Sequence, residues 1–87
     1  MTQPTEKRIG NVAIIVYQPD SVYQQLNEIL HEYGSIIIGR LGLPYRERHL
    51  SIVTLIVEGS TDEIGAMTGR IGQLESVTVK TTFAKLK

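Results

Sequence analysis

The 87-residue sequence contains no cysteine and no tryptophan, and nine Lys and Arg balance nine Asp and Glu to a formal charge of zero. Without cysteine there is no disulfide framework, no iron–sulfur cluster and no thiolate zinc site. The CxxC of a heavy-metal chaperone is missing for the same reason. A cysteine-free chain fits a reducing compartment, and the expected location is the cytoplasm. The balanced charge speaks against direct nucleic-acid binding, which draws on an excess of Lys and Arg. One Phe and four Tyr are too few to tile a base-stacking sheet. No run approaches the roughly 18 apolar residues of a membrane span, and MTQPTEKRIG carries no apolar signal region. Neither a membrane nor a nucleic acid is therefore an expected partner.

What is present is an ordinary globular composition, 41% hydrophobic and 21% charged, in a length that holds one domain. Residues 1–7 are polar and read as a disordered tail. Residues 8–87 read as a single domain. The run from Arg8 to Tyr17 is rich in β-branched residues and predicts a strand. Pro19-Asp20-Ser21 then supplies turn chemistry, with Ser21 and Gln24 spaced as a capping box. Val22, Leu26, Ile29, Leu30 and Tyr33 follow on one helical face, and Gly34 is placed to close that helix. Ser35–Leu43 and Leu50–Glu58 read as two strands joined by the polar Pro44–His49 segment. Ser60 and Glu63 are spaced as another capping box, ahead of a helix with Ile64, Met67, Ile71 and Leu74 on one side. Ser76–Phe83 alternates as a final strand.

The order β-α-β-β-α-β predicts an α+β, ferredoxin-like sandwich: a four-stranded antiparallel sheet with two helices on one face. The first and third strands are central in that topology. Both are apolar on both of their alternating sets, whereas a sheet with one wet face should alternate apolar and polar. The uncovered face is thus expected to be apolar, and that face or an edge strand is expected to join copies of the chain as a dimer or tetramer. Ala13, Ile15, Val53 and Leu55 are the expected contact residues.

Three further features bear on function. Gly65, Gly69 and Gly72 lie within a sector about 60° wide on the second helix, nearly opposite its apolar side. They mark either a close approach by a partner or effector, or an unused surface. Arg40, Arg46 and Arg48, with Tyr45 and His49, form the densest positive cluster, and arginine forks suit carboxylate or phosphate. The Gln18–Ser21 turn offers helix N-terminal N–H groups to an anion. His31 and His49 stand alone, so no metal site and no cofactor are expected. No local motif assembles a nucleophile, base and acid, and the expectation is a protein without enzymatic activity.

The segment Ile64-Gly-Ala-Met-Thr-Gly-Arg-Ile-Gly-Gln73, followed by Val77-Thr-Val-Lys-Thr81, resembles the putative iron-only hydrogenase system regulators. Leu26-Asn-Glu-Ile-Leu-His31 and Arg40-Leu-Gly-Leu-Pro44 match the same family. The resemblance implies an ACT-like fold, related to the effector domain of the nickel-responsive repressors. It further implies regulation of the iron-only hydrogenase maturation system through a small-molecule effector or a protein partner. A ligand-free assembly module is the alternative. Nickel sensing does not carry over, because the histidine and cysteine ligands of those repressors have no counterparts here. Seven residues precede Arg8, so no DNA-reading segment is expected ahead of the domain.

Overall fold

The computed structural model describes residues 6–85. Its elements run β1 (Arg8–Tyr17), α1 (Pro19–Glu32), β2 (Ile37–Tyr45), β3 (Leu50–Gly59), α2 (Thr61–Gly72) and β4 (Val77–Phe83). Short 3₁₀ turns, Gly34–Ile36 and Arg46–Arg48, precede β2 and β3. The sheet is antiparallel with order β2-β3-β1-β4, so β1 and β3 are central as the ferredoxin-like pattern requires. Of the expected tail, Glu6 and Lys7 precede β1 without regular structure, and residues 1–5 lie outside the described residues.

The core lies between the sheet and the helices. Val12, Ile14 and Val16 of β1 and Val53, Leu55 and Val57 of β3 are fully buried. They pack with Leu26, Ile29 and Leu30 of α1 and Ile64, Met67 and Ile71 of α2. Burying each such aliphatic contributes about 1.5–3 kcal/mol relative to leaving it wet, which is the main force holding the helices down. Gly59 ends β3 where nothing larger fits: a Cβ there would stand 2.9 Å from Ile36 Cγ2.

Two helix boundaries differ from expectation. Helix α1 starts at Pro19 with Gln18 as N-cap, and Ser21 donates its hydroxyl back to the Gln18 carbonyl at 3.0 Å. Proline at the first helical position gives up no hydrogen bond and presets φ, so the helix begins before Ser21 and the Ser21/Gln24 box does not form. At the other end Gly34 adopts no left-handed conformation; Tyr33 caps α1 and the chain continues into a 3₁₀ turn. The Ser60/Glu63 capping box is complete, with Glu63 N–H to Ser60 Oγ at 3.0 Å and Ser60 N–H to Glu63 Oε1 at 2.9 Å. The Ser60 backbone N–H, which donates to the carboxylate, and then the Ser60 hydroxyl beside it hold the Glu63 carboxyl below its ordinary range.

The phase of β3 corrects the expected contact face. In the β1–β3 ladder Ala13 pairs with Thr54 and Ile15 with Ile52, while Ile14 pairs with Val53 and Val12 with Leu55. Residues paired across a ladder share a face. Val53 and Leu55 therefore lie beneath the helices, both fully buried, and cannot meet another copy. Ile52 and Ile56 take their place beside Ala13 and Ile15.

Candidate functional site

Three surfaces hold the candidate residues. The first is the open sheet face. Gly39, Leu41, Leu43 and Tyr45 of β2 pair with Ile56, Thr54, Ile52 and Leu50 of β3 and share this face with Ala13, Ile15 and Tyr17 of β1. Leu41 is 66% and Leu43 56% exposed, and Tyr17, Tyr45, Ile52 and Ile56 are also exposed. This makes a contiguous apolar surface over β2 and β3. Toward β4 the face turns polar with Thr78, Lys80 and Thr82. In its centre Asn11 donates Nδ2–H to Thr54 Oγ1 at 2.7 Å and to the Leu55 carbonyl at 3.1 Å.

The second surface is a cleft of about 1020 Å³ at the end of the sheet where β1 leaves and β3 enters. The α1 N-terminal turn lines it through Gln18, Asp20, Ser21 and Tyr23, and the β2–β3 connection through Pro44, Arg46, His49, Leu50 and Ser51. Backbone bonds tie these walls together: the Gln18 N–H meets the His49 carbonyl at 3.1 Å, and the Tyr17 N–H meets the Ser76 carbonyl at 2.7 Å. Gln18, His49 and Ser76 have φ of 56°, 54° and 59°, and among the described residues they are the left-handed positions, none of them glycine. Left-handed backbone costs a residue with a Cβ about 1–2 kcal/mol. Three such positions at one end of the sheet mark it as over-determined by its surroundings.

Within that cleft Ser51 is 1% exposed, and its hydroxyl has no hydrogen-bond partner among the described residues. An unpaired buried hydroxyl costs about 1–3 kcal/mol. Helix α1 has no side-chain cap, and Pro19 brings no N–H to its first turn. Arg46 makes no ion pair among the described residues, where the pair present is Arg70 to Glu32 at 2.6 Å.

The structure thus divides the expected arginine cluster. Arg46 and His49 line the cleft. Arg40 shares the helix-facing phase of β2 and donates Nη2–H to Asn27 Oδ1 of α1 at 2.8 Å, while Arg48 is exposed on the 3₁₀ turn outside the cleft. His31 sits in a shallow groove of about 810 Å³ on the outer side of α1, among Gln24, Asn27, Glu28 and Glu32. The Arg70–Glu32 contact joins α2 to α1, lowering the Glu32 carboxyl and raising Arg70 through their shared hydrogen bond.

The third surface is the glycine stripe. A Cβ at Gly65 or Gly69 would meet nothing within 4 Å, and one at Gly72 would touch Val79 at an ordinary 3.6 Å. Nothing among the described residues requires glycine at any of the three. Ser51 is the residue that sequence reasoning passed over, although the signal was there: it is the one hydroxyl in the β3 phase that otherwise reads Val53, Leu55, Val57 and Gly59.

No functionally curated protein matches the chain. The structure of the uncharacterized protein TM1266 from Thermotoga maritima superposes with a TM-score of 0.89 at 39% sequence identity, covering 92% of this chain and all of that one. Residues 8–81 match the TM1266-like family, described as "Iron-only hydrogenase system regulator, putative". A match running from the first residue of β1 into β4 takes in the open face, the cleft and the glycine stripe together, and the chain belongs to the TM1266-like family.

Proposed function

We propose that this chain is a non-enzymatic, cytoplasmic regulatory domain of the iron-only hydrogenase system that works as a homo-oligomer, with the open sheet face joining two copies. The observation that carries the reading is the apolar surface over β2 and β3, with six large side chains wet at once (Tyr17, Leu41, Leu43, Tyr45, Ile52 and Ile56). A contiguous patch of that kind marks an interaction surface, whereas scattered exposed aliphatics do not.

Its chemistry favours a second copy as occupant. Both amide protons of Asn11 are spent within the sheet, so covering the face strands neither donor. Glu58 and Lys80 supply one charge of each sign to the face, which gives no electrostatic preference for an acidic or a basic partner. A twofold axis through such a face sets like against like.

Sedimentation velocity of the purified protein at micromolar concentration tests the reading. The expected species is a dimer or tetramer that Leu43→Asp reduces to a folded monomer. A wild-type monomer at that concentration contradicts it.

A further inference from the structure

We propose that the cleft between the α1 N-terminus and the β2–β3 connection binds a small molecule through an oxyanion, a carboxylate or a phosphate, held by Ser51, Arg46 and the first turn of α1. The site is built within one protomer and meets the open sheet face only at Leu50.

The Ser51 hydroxyl is the observation that points to a ligand. It is buried in the cleft wall with no partner among the described residues, and native proteins leave few such groups unpaired. Its oxygen is closed to solvent in this structure, and rotation about the Ser51 Cα–Cβ bond toward the cleft would let a ligand oxygen accept its proton and relieve that cost. On one side of the cleft stands the 14-residue helix α1, whose N-terminus carries partial positive charge and no side-chain cap. On the other stands Arg46, a guanidinium without an ion-pair partner among the described residues. Serine hydroxyl, helix N–H and arginine fork all donate, and an oxyanion is what all three can share.

The remaining polar groups limit the ligand further. Asp20 lines the same cleft and opposes dense negative charge, so a singly charged headgroup on a larger polar body fits better than a bare polyanion. Gln18 and Asp20 can accept hydrogen bonds from that body, and Tyr23 and Leu50 offer it apolar surface. A volume of about 1020 Å³ accommodates a metabolite rather than a lone ion.

The left-handed residues fit the same reading. Gln18 and His49 hold the two walls in register through one backbone bond, and they do so in a conformation a glycine would adopt more cheaply. Side chains kept at such positions over the cleft are well placed to meet what enters it.

The test is an amide chemical-shift titration of the intact protein with sodium phosphate and, separately, with sodium lactate, each against sodium chloride of equal ionic strength. Saturable shifts are expected at Gln18–Val22 and His49–Ser51. Arg46→Ala should weaken the response about tenfold or more, the loss typical of a hydrogen bond to a charged group. Ser51→Ala should weaken it several-fold while leaving the melting temperature of the free protein unchanged or raised, since it removes an unpaired hydroxyl. Saturation by phosphate alone identifies a phosphate-bearing ligand, and by lactate alone a carboxylate. No saturable shift with either probe, or shifts that Arg46→Ala and Ser51→Ala leave unaltered, would overturn the proposal. Because the cleft lies within one chain, a monomeric Leu43→Asp variant should titrate like the wild type, which separates failure of this site from failure of the assembly reading.

Discussion

The two faces of this sheet are built from nearly the same side chains and meet opposite fates. Val12, Ile14, Val53 and Leu55 point to the helices and are fully buried; Ala13, Ile15, Ile52 and Ile56 occupy the neighbouring positions on the same strands and are left outside the fold of one chain. Two helices of 14 and 12 residues cover one face of four strands and no more. Aliphatic content therefore does not decide which residues form the core. The side on which the crossovers fall decides it, and the remaining aliphatics become a surface that another molecule can use.

The largest expected effect breaks the comparison directly. Leu55→Ala removes a buried side chain and should cost about 2–5 kcal/mol, a large share of the about 5–15 kcal/mol that holds a domain folded. Ile52→Ala, three residues earlier on the opposite face, should leave the stability of a monomeric background within about 0.5 kcal/mol and weaken assembly instead. Urea denaturation and sedimentation on both variants read the two effects separately. If Ile52→Ala proved as destabilising as Leu55→Ala in a monomeric background, the distinction between the faces would be lost.

Next in size is Gly59→Ala at the end of β3. The added Cβ presses on the branched Ile36 side chain at 2.9 Å, and overpacking of this kind costs about 1–3 kcal/mol. The same change at Gly69, whose surroundings are open, should instead stabilise by about 0.4–1 kcal/mol. Thermal melts of the two variants should therefore move in opposite directions. Loss of assembly in Gly69→Ala would show that the stripe receives a partner after all.

The capping box gives a smaller, pH-dependent effect. Ser60→Ala should cost about 1 kcal/mol. Glu63 has a lowered folded-state pKa because the Ser60 bonds favour its charged form. Its contribution is thus present above the unfolded carboxylate pKa of about 4.3 and fades as pH falls through the depressed folded value. Glu32, lowered by its bond to Arg70, follows the same sign. Denaturation midpoints from neutral to acid pH should fall less steeply in Glu63→Gln than in the wild type.

Much of this architecture was legible in the sequence, and the misses have physical causes. Element order came through because β-branched runs, helical apolar spacing and the Ser60/Glu63 box all agreed. The β3 phase was misread because that strand is aliphatic on both sets, so alternation alone could not choose a face. The choice lay in its polar minority: Thr54 and Glu58 fall in the outward phase with Ile52 and Ile56. The start of α1 was misread because Ser21 resembles a cap, while Pro19 sets the helix earlier. The cleft was visible only as two unrelated fragments, the Gln18–Ser21 turn and the Arg46–His49 connection. Their meeting is made by a long-range bond, Gln18 N–H to the His49 carbonyl, which no local pattern contains.

Sedimentation velocity of the wild type beside an Ile52→Asp, Leu43→Asp double variant, at equal micromolar concentration and with matching circular dichroism, tests the central claim most directly. The account predicts a wild-type oligomer and a folded, monomeric variant. A wild type that sediments as a monomer, or a variant that stays assembled, would contradict it.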